Sequence, residues 1–255
     1  MRNRYKKYLK YIEATKSNNT LISYRKALHR FPNGTADEVI QVIHDDSLSD
    51  GTKKLSLTIF KQAEKFYGYW NQDLAMLVDG WKPNESVQPC PTAEEVANML
   101  HHLRLTNQRV AFMLMAYNGL RVSEVANMRV EDVDLDKRTV KLIGTKGKRD
   151  AIVPIANPIL YDLLTKQLAN RSHGMTVCSL CVGSLMNMIH RVAKKCGYPY
   201  HAHSLRRYFA NTLKRSNVAI EDIQTLMRHR SIETTRRYLN IDVEDSRNVL
   251  EGVAF

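Results

Sequence analysis

Between Trp81 and Pro91 three prolines fall within eleven residues, and neither a helical nor a strand period runs through them. Each proline removes a backbone donor and biases the residue before it towards extended backbone. No regular element can be carried across such a stretch, so the chain is expected to form two bodies joined by an extended linker. The expected division is a helical module over residues 1–80, a linker over 81–91 and a second domain over 92–255. Thr92 caps the first helix of that domain, and Glu95 three residues on completes a capping box. No internal repeat and no low-complexity tract is present.

The first body reads as helices. Leu21, Tyr24, Leu28 and Phe31 recur at i, i+3, i+7 and i+10, one apolar stripe, with Asn19 or Thr20 as its cap. A longer helix is expected from Thr52 to Trp70, where Phe60, Ala63, Tyr67 and Trp70 repeat that spacing. Basic residues keep off these stripes. Arg25 borders the first, Lys26 and Arg30 lie away from it, and Lys53, Lys54, Lys61 and Lys65 populate the rest of the longer helix. A solvated face is the ordinary reading of such residues, but here several basic faces share one small module. Arg25, Lys26, Arg30, Lys53, Lys54 and Lys61 are therefore candidates for contact with a polyanion.

The second body opens with helices near Thr92–Leu103 and Asn107–Asn118, and Asn118-Gly119 ends one before another starts at Val122. The period then changes. Arg138–Gly144 and Asp150–Ile155 are β-rich runs joined by the basic turn Thr145-Lys-Gly-Lys-Arg149. After Asn157 the helical period returns. The expected fold class is mostly α with a small antiparallel sheet in the second domain, an α+β arrangement.

Charge narrows the partner. Lys and Arg exceed Asp and Glu by 12, with 14 against 9 up to Asn84 and 24 against 17 beyond it. A basic surface suits nucleic acid, because each cation placed on a phosphate releases condensed counterions. Simple solubility and an anionic membrane surface stay open on charge alone. No apolar run approaches the roughly 18 residues of a membrane span. The N-terminus lacks an apolar signal core, so an intracellular, nucleoid-associated protein is expected. Cys178-Ser-Leu-Cys181 has ligand-like spacing, with His190 following. A zinc site normally needs a second close pair, so reduced thiols and no metal are expected.

Four further segments draw the eye, each weak alone. Arg121 and Glu124 read as a helical i, i+3 ion pair. Lys146 and Lys148 sit on the basic turn. His203 and Arg206 share one helix face beside an apolar stripe of Leu205, Phe209 and Leu213. Last comes Met227-Arg-His229-Arg-Ser-Ile-Glu-Thr-Thr-Arg-Arg-Tyr238, where Ser231 or Thr234 can cap a short helix ending near Tyr238.

Together they resemble the tyrosine recombinase (phage integrase) family, in particular its Xer-like simple recombinases. The order Arg121, Lys146, His203, Arg206, His229, Tyr238 is that family's order, with 23 residues from Arg206 to His229 and 9 from His229 to Tyr238. The flanking text agrees: Ala116-Tyr-Asn-Gly-Leu-Arg-Val-Ser-Glu, Lys146-Gly-Lys-Arg before Ile152-Val-Pro-Ile, and Ser231-Ile-Glu-Thr-Thr-Arg-Arg-Tyr. The first module matches more loosely, through Asn19-Thr-Leu-Ile-Ser-Tyr-Arg.

The resemblance implies a catalytic domain preceded by a SAM-like core-binding domain, clamped on double-stranded DNA. It makes Tyr238 the nucleophile, Arg121 and Arg206 the phosphate ligands, His203 the acid/base and Lys146 the general acid, with Lys148 its rival. His229 would donate to the phosphate, Glu124 would orient its neighbours, and Arg207 would touch DNA. A 3′-phosphotyrosyl bond conserves the energy of the broken strand, so no cofactor is implied. Family members work as homotetramers on two synapsed sites through a Holliday junction, from a monomer or weak dimer when free. No additional arm-binding domain is expected. Val243–Phe255 would dock on a neighbouring protomer or on its own domain. Two rivals stay open: a type IB topoisomerase-like nicking-closing enzyme, and an architectural DNA-binding protein that does not cleave.

Two positions depart from the family. Arg207-Tyr208 follows Arg206 where His-Thr is common, and Arg228 precedes His229 where glycine is usual. The tight turn expected before His229 must therefore form without glycine.

Overall fold

The computed structural model describes residues 4–84, 89–144, 150–229, 231–236 and 239. It divides into two compact units, Met1–Ser86 and Val87–Phe255. The architecture is mostly helical with one small antiparallel sheet, as expected.

The first unit holds α1 (Lys6–Thr15), α2 (Asn18–Leu28), α3 (Ala36–His44), α4 (Asp50–Tyr67) and α5 (Gln72–Gly80). Its core gathers Tyr8, Leu9 and Ile12 from α1, Leu21 and Leu28 from α2, and Leu57, Phe60 and Ala63 from α4. Phe31 stacks on Phe60 with ring centroids 4.4 Å apart. Two boundaries differ from the sequence reading. Ser17, not Asn19 or Thr20, caps α2 by accepting from the Thr20 amide at 3.3 Å. α4 stops at Tyr67 because Gly68 turns left-handed, so Trp70 lies beyond the helix and meets Phe60 edge-on at 6.5 Å.

The second unit is built around α7 (Thr106–Tyr117). Val110 to Ala116 are seven consecutive buried residues, so this helix has no solvent face along that stretch. α6 (Ala93–His101), α8 (Val122–Asn127), α9 (Pro158–Leu168), α10 (Val182–Lys195) and α11 (Ala202–Arg215) all pack against it. The capping box of Thr92 and Glu95 starts α6 as the sequence indicates. Each fully buried Val, Leu, Phe or Met contributes about 1.5–3 kcal/mol, which makes α7 the fixed post of the unit.

The sheet runs β1 (Val133–Asp134), β2 (Thr139–Leu142) and β3 (Ala151–Pro154), antiparallel, with Val140 opposite Val153. β1 has only two residues, too short to show a period, and follows a 3-10 turn at Val130–Asp132. The unit closes with α12 (Ile220–Met227) and α13 (Ile232–Arg236).

Four helix ends share one device. After α4, α10, α11 and α12 the residues Gly68, Gly197, Asn217 and Arg228 adopt positive φ, and paired backbone bonds turn back onto the last turn. This is the Schellman motif. Among the described residues no helix is long and apolar enough to cross a membrane.

Candidate active site

The site begins where α7 ends. The Asn118 side-chain amide donates to the Pro154 carbonyl at 2.6 Å, tying the end of α7 to β3. Gly119 follows at φ +60°, and a Cβ there would lie 2.3 Å from the Phe209 ring. Only glycine satisfies both the backbone and the packing. The turn delivers Arg121 to the start of α8, where its amide donates to Glu124 Oε2 at 2.8 Å and its Nη1 to Oε1 at 2.7 Å.

α11 brings Arg206 to the same turn. It is buried, with Nη1 on the Gly119 carbonyl and Nη2 on the Met227 carbonyl at the end of α12. Arg121 Nη2 reaches the Arg228 carbonyl at 3.5 Å. The Schellman turn then sets His229: its backbone amide donates to the Gln224 carbonyl at 3.0 Å, and the Gln224 side-chain Nε2 donates to the His229 carbonyl at 3.1 Å. His229 Nδ1 lies 2.9 Å from Thr235 Oγ1 of α13. His203 sits one turn before Arg206 on α11.

The electrostatics bind these groups together. Desolvation, then Arg206, Arg207, His201 and Arg121, push the His203 pKa down to about 4. Desolvation, then Arg206, Arg121, Arg228 and His203, push His229 down to about 4 as well. Both rings are neutral at pH 7. Burial would raise the Glu124 carboxyl, but Arg228, the Arg121 amide and the Arg121 guanidinium outweigh it and hold it below the usual carboxylate range. A hollow of about 380 Å³ runs from Arg121 and Glu124 past Asn127 and Arg129 to Lys141 and Gly144 on the hairpin. Its charged lining is Arg121, Arg129 and Lys141 together with the carboxylates of Glu124 and Asp132.

The structure thus brings Arg121, Glu124, His203, Arg206 and His229 together. Lys146, Lys148 and Tyr238 lie outside the described residues, as does Val243–Phe255. The flanks of the basic turn are described: Gly144 donates to Asp150 Oδ1 at 3.1 Å, and Lys141 pairs with Asp150 at 3.6 Å. Ser231 accepts from the Glu233 amide at 3.2 Å, opening α13 as its sequence suggested.

The candidate polyanion contacts fare unevenly. Arg25, Lys26 and Lys54 are exposed, and Arg30 is half-buried. Arg25 faces Glu13 at 3.8 Å. Lys54, Lys61 and Lys65 line one hollow of about 490 Å³ in the first unit, although Lys61 is also paired with Asp79 at 2.5 Å. Lys53 departs from the expected surface position. It is 7% exposed and its amine donates to the Ile43 carbonyl at 2.8 Å, so it closes the end of α3 instead. Arg207 is likewise buried. Cys178 is buried and Cys181 exposed, and both are free thiols.

Sequence reasoning missed three contributors: Asn118, Thr235 and the side chain of Arg228. The last left a signal, since a long cation stands where a turn wants glycine. The other two left none, because a polar residue in a helix is commonplace.

Residues 91–245 match the phage integrase family. The chain is 30% identical over 216 residues to the tyrosine recombinase XerA of Thermococcus kodakarensis, covering 79% of this chain and 76% of that protein. It is 24% identical over 257 residues to the tyrosine recombinase XerA of Pyrococcus horikoshii, covering 92% and 88%. Among solved structures it resembles the Tn1549 transposon integrase in complex with circular intermediate DNA, with a TM-score of 0.76, 15% identity and coverage of 95% and 97%. A lambda integrase dimer bound to a COC′ core site gives a TM-score of 0.74 at 17% identity, covering 93% and 97%.

Proposed function

Because the chain belongs to the phage integrase family and is a tyrosine-type site-specific DNA recombinase, we propose that Tyr238 is its nucleophile. Arg121, Lys146, His203, Arg206 and His229 then act on one scissile phosphate. The observation that carries this reading is the knot at Gly119, where Arg121 and Arg206, far apart in sequence, are fixed on one turn beside two neutral histidines.

Attack on a phosphodiester spreads negative charge over its non-bridging oxygens. Arg121 and Arg206 stabilise that charge, since guanidinium never loses its proton and forms paired bonds. His203, neutral in the free protein, accepts the Tyr238 proton as the hydroxyl attacks. A neutral His229 has a single ring N–H. When the Thr235 hydroxyl donates to Nδ1, that hydrogen sits on Nε2, from which it is donated to a phosphate oxygen once DNA is bound. Lys146 protonates the departing 5′-oxygen, and Glu124 orients Arg121. The product is a 3′-phosphotyrosyl bond, which a 5′-hydroxyl from the partner duplex reopens.

At the level of the molecule, double-stranded DNA is the partner. Arg25, Lys26, Arg30, Lys54 and Lys61 of the first unit contribute phosphate contacts. Exchange proceeds on two sites held by a homotetramer, through a Holliday junction.

Tyr238→Phe tests the assignment directly. It removes one hydroxyl, so the covalent protein–DNA adduct on denaturing gels should vanish while gel-shift affinity stays within about twofold. An adduct that persists would place the nucleophile elsewhere.

A further inference from the structure

Among the four described helix ends closed by the Schellman motif, three carry Gly68, Gly197 and Asn217, the residue types that tolerate this backbone. The fourth carries Arg228, at φ +54° and ψ +44°. A side chain with a Cβ is disfavoured there, and this one is not left in solvent, where a lysine or arginine ordinarily ends up. It is 9% exposed. Nη1 donates to the Leu226 carbonyl at 3.0 Å, and Nη2 donates to Glu124 Oε2 at 3.0 Å and to the Gly119 carbonyl at 3.3 Å. Its Nε is buried with no acceptor.

Both inter-element acceptors are shared. Glu124 is also the partner of Arg121, and the Gly119 carbonyl is also the partner of Arg206. We propose that Arg228 is a positioning residue for strand cleavage, one that holds Arg121 and Arg206 in a common frame by taking part of the Glu124 carboxylate and part of the Gly119 carbonyl. It rests on the reading of Arg121 and Arg206 as phosphate ligands.

The charge balance gives the positioning its effect. With glycine at 228, the Glu124 carboxylate would be answered by Arg121 alone, and that ion pair would blunt the field Arg121 offers a phosphate. With arginine, two guanidiniums, those of Arg121 and Arg228, answer a single carboxylate, and positive charge is left over for the DNA. The same cation acts on His229 across the turn, where Arg206, Arg121 and His203 also face the ring.

The test uses the full-length protein with Arg228→Gly, Arg228→Lys and Arg228→Ala. The substrate is a nicked suicide duplex bearing the DNA sequence that the wild-type protein captures covalently. Glycine suits the left-handed backbone, so Arg228→Gly keeps the fold and isolates the side chain. It should bind DNA with an affinity within about twofold of wild type and form the covalent adduct about 10- to 100-fold more slowly, the scale of a small misplacement of reacting groups. The acid limb of its pH–rate profile should move to higher pH as His229 loses a neighbouring cation. Arg228→Lys should recover part of the rate, and Arg228→Ala should be as slow as Arg228→Gly.

Cleavage by Arg228→Gly at the wild-type rate would overturn the proposal. So would an Arg228→Lys no faster than Arg228→Gly with the pH profile unmoved. Arg121→Ala separates the two levels. If it cleaves normally, the phosphate reading has failed; if it is inactive while Arg228→Gly is unimpaired, only the role of Arg228 has.

Discussion

Lys146 makes the sharpest prediction for a single residue. A 5′-alkoxide leaves poorly without a proton, so Lys146→Ala should slow cleavage by about 10²–10⁴-fold. A 5′-bridging phosphorothiolate leaves as thiolate and needs no acid, so the same variant should cleave that substrate nearly as wild type does. Arg121→Ala should show no such rescue, because its target is charge on the non-bridging oxygens. Rescue of Lys148→Ala instead would move the acid two residues along the chain. The histidines make a second prediction. His229 has a folded-state pKa near 4 against an ordinary 6.5. Above pH 6.5 neither folded nor unfolded chain carries the proton, and nothing is lost. Between pH 6.5 and 4 the unfolded chain binds it preferentially, so stability falls as acid is added, by at most about 3 kcal/mol from this residue. Urea melts at pH 7 and pH 5 should show the drop, and His229→Asn should flatten it.

Single residues also mark how far the sequence can be read. That Arg121, His203, Arg206 and His229 would gather in one place was legible from their order in the chain; the task of each is the proposal made above. Lys53 was misjudged, since the apolar stripe of α4 says nothing about a lysine whose stem is covered and whose amine meets the Ile43 carbonyl. Arg207, expected at DNA, is buried as well. Burial of a long cation depends on what packs over it, which no local spacing records.

At the scale of elements, the turn from α7 into α8 is where the unit is least forgiving. Gly119→Ala adds a methyl group 2.3 Å from the Phe209 ring at a backbone angle of φ +60°. Left-handed strain costs about 1–2 kcal/mol and overpacking about 1–3 more. A loss of roughly 2–5 kcal/mol is expected in chemical denaturation. Phe209→Ala in the same chain should return the packing part and leave the backbone part. An unchanged midpoint would show that the turn has another conformation open to it. The helices and the β2–β3 pair were legible from their periods, whereas β1 was not, because two residues cannot display one. Helix ends fell a few residues from expectation where the deciding group was a cap outside the stripe, as with Ser17 and Gly68.

For the whole molecule, charge sets the expectation. The chain carries an excess of 12 basic residues distributed over both units, so many phosphates should be contacted at once. Each adds about 0.9 to the log–log dependence of affinity on salt. Residues 87–255 alone should fold, since their core closes around α7 without help from the first unit. They should bind DNA more weakly than the full chain and with a shallower salt slope. Equal affinity and equal slope in a gel-shift titration would show that the first unit serves some purpose other than holding DNA. The linker prolines made the existence of two bodies legible, and the enclosure of one helix on all sides shows in the sequence only as the unbroken apolar run from Val110 to Tyr117.

That enclosed helix bears on how such a protein can be retargeted. Val110 to Ala116 offer no face on which a substitution escapes the interior, and the turn that sets Arg121 grows directly from their end. In laboratory selections for exchange at altered DNA sites, accepted changes should gather on the exposed faces of α2 and α4. The seven residues should come through round after round as they began. The address would then drift freely while the part that cuts is inherited whole.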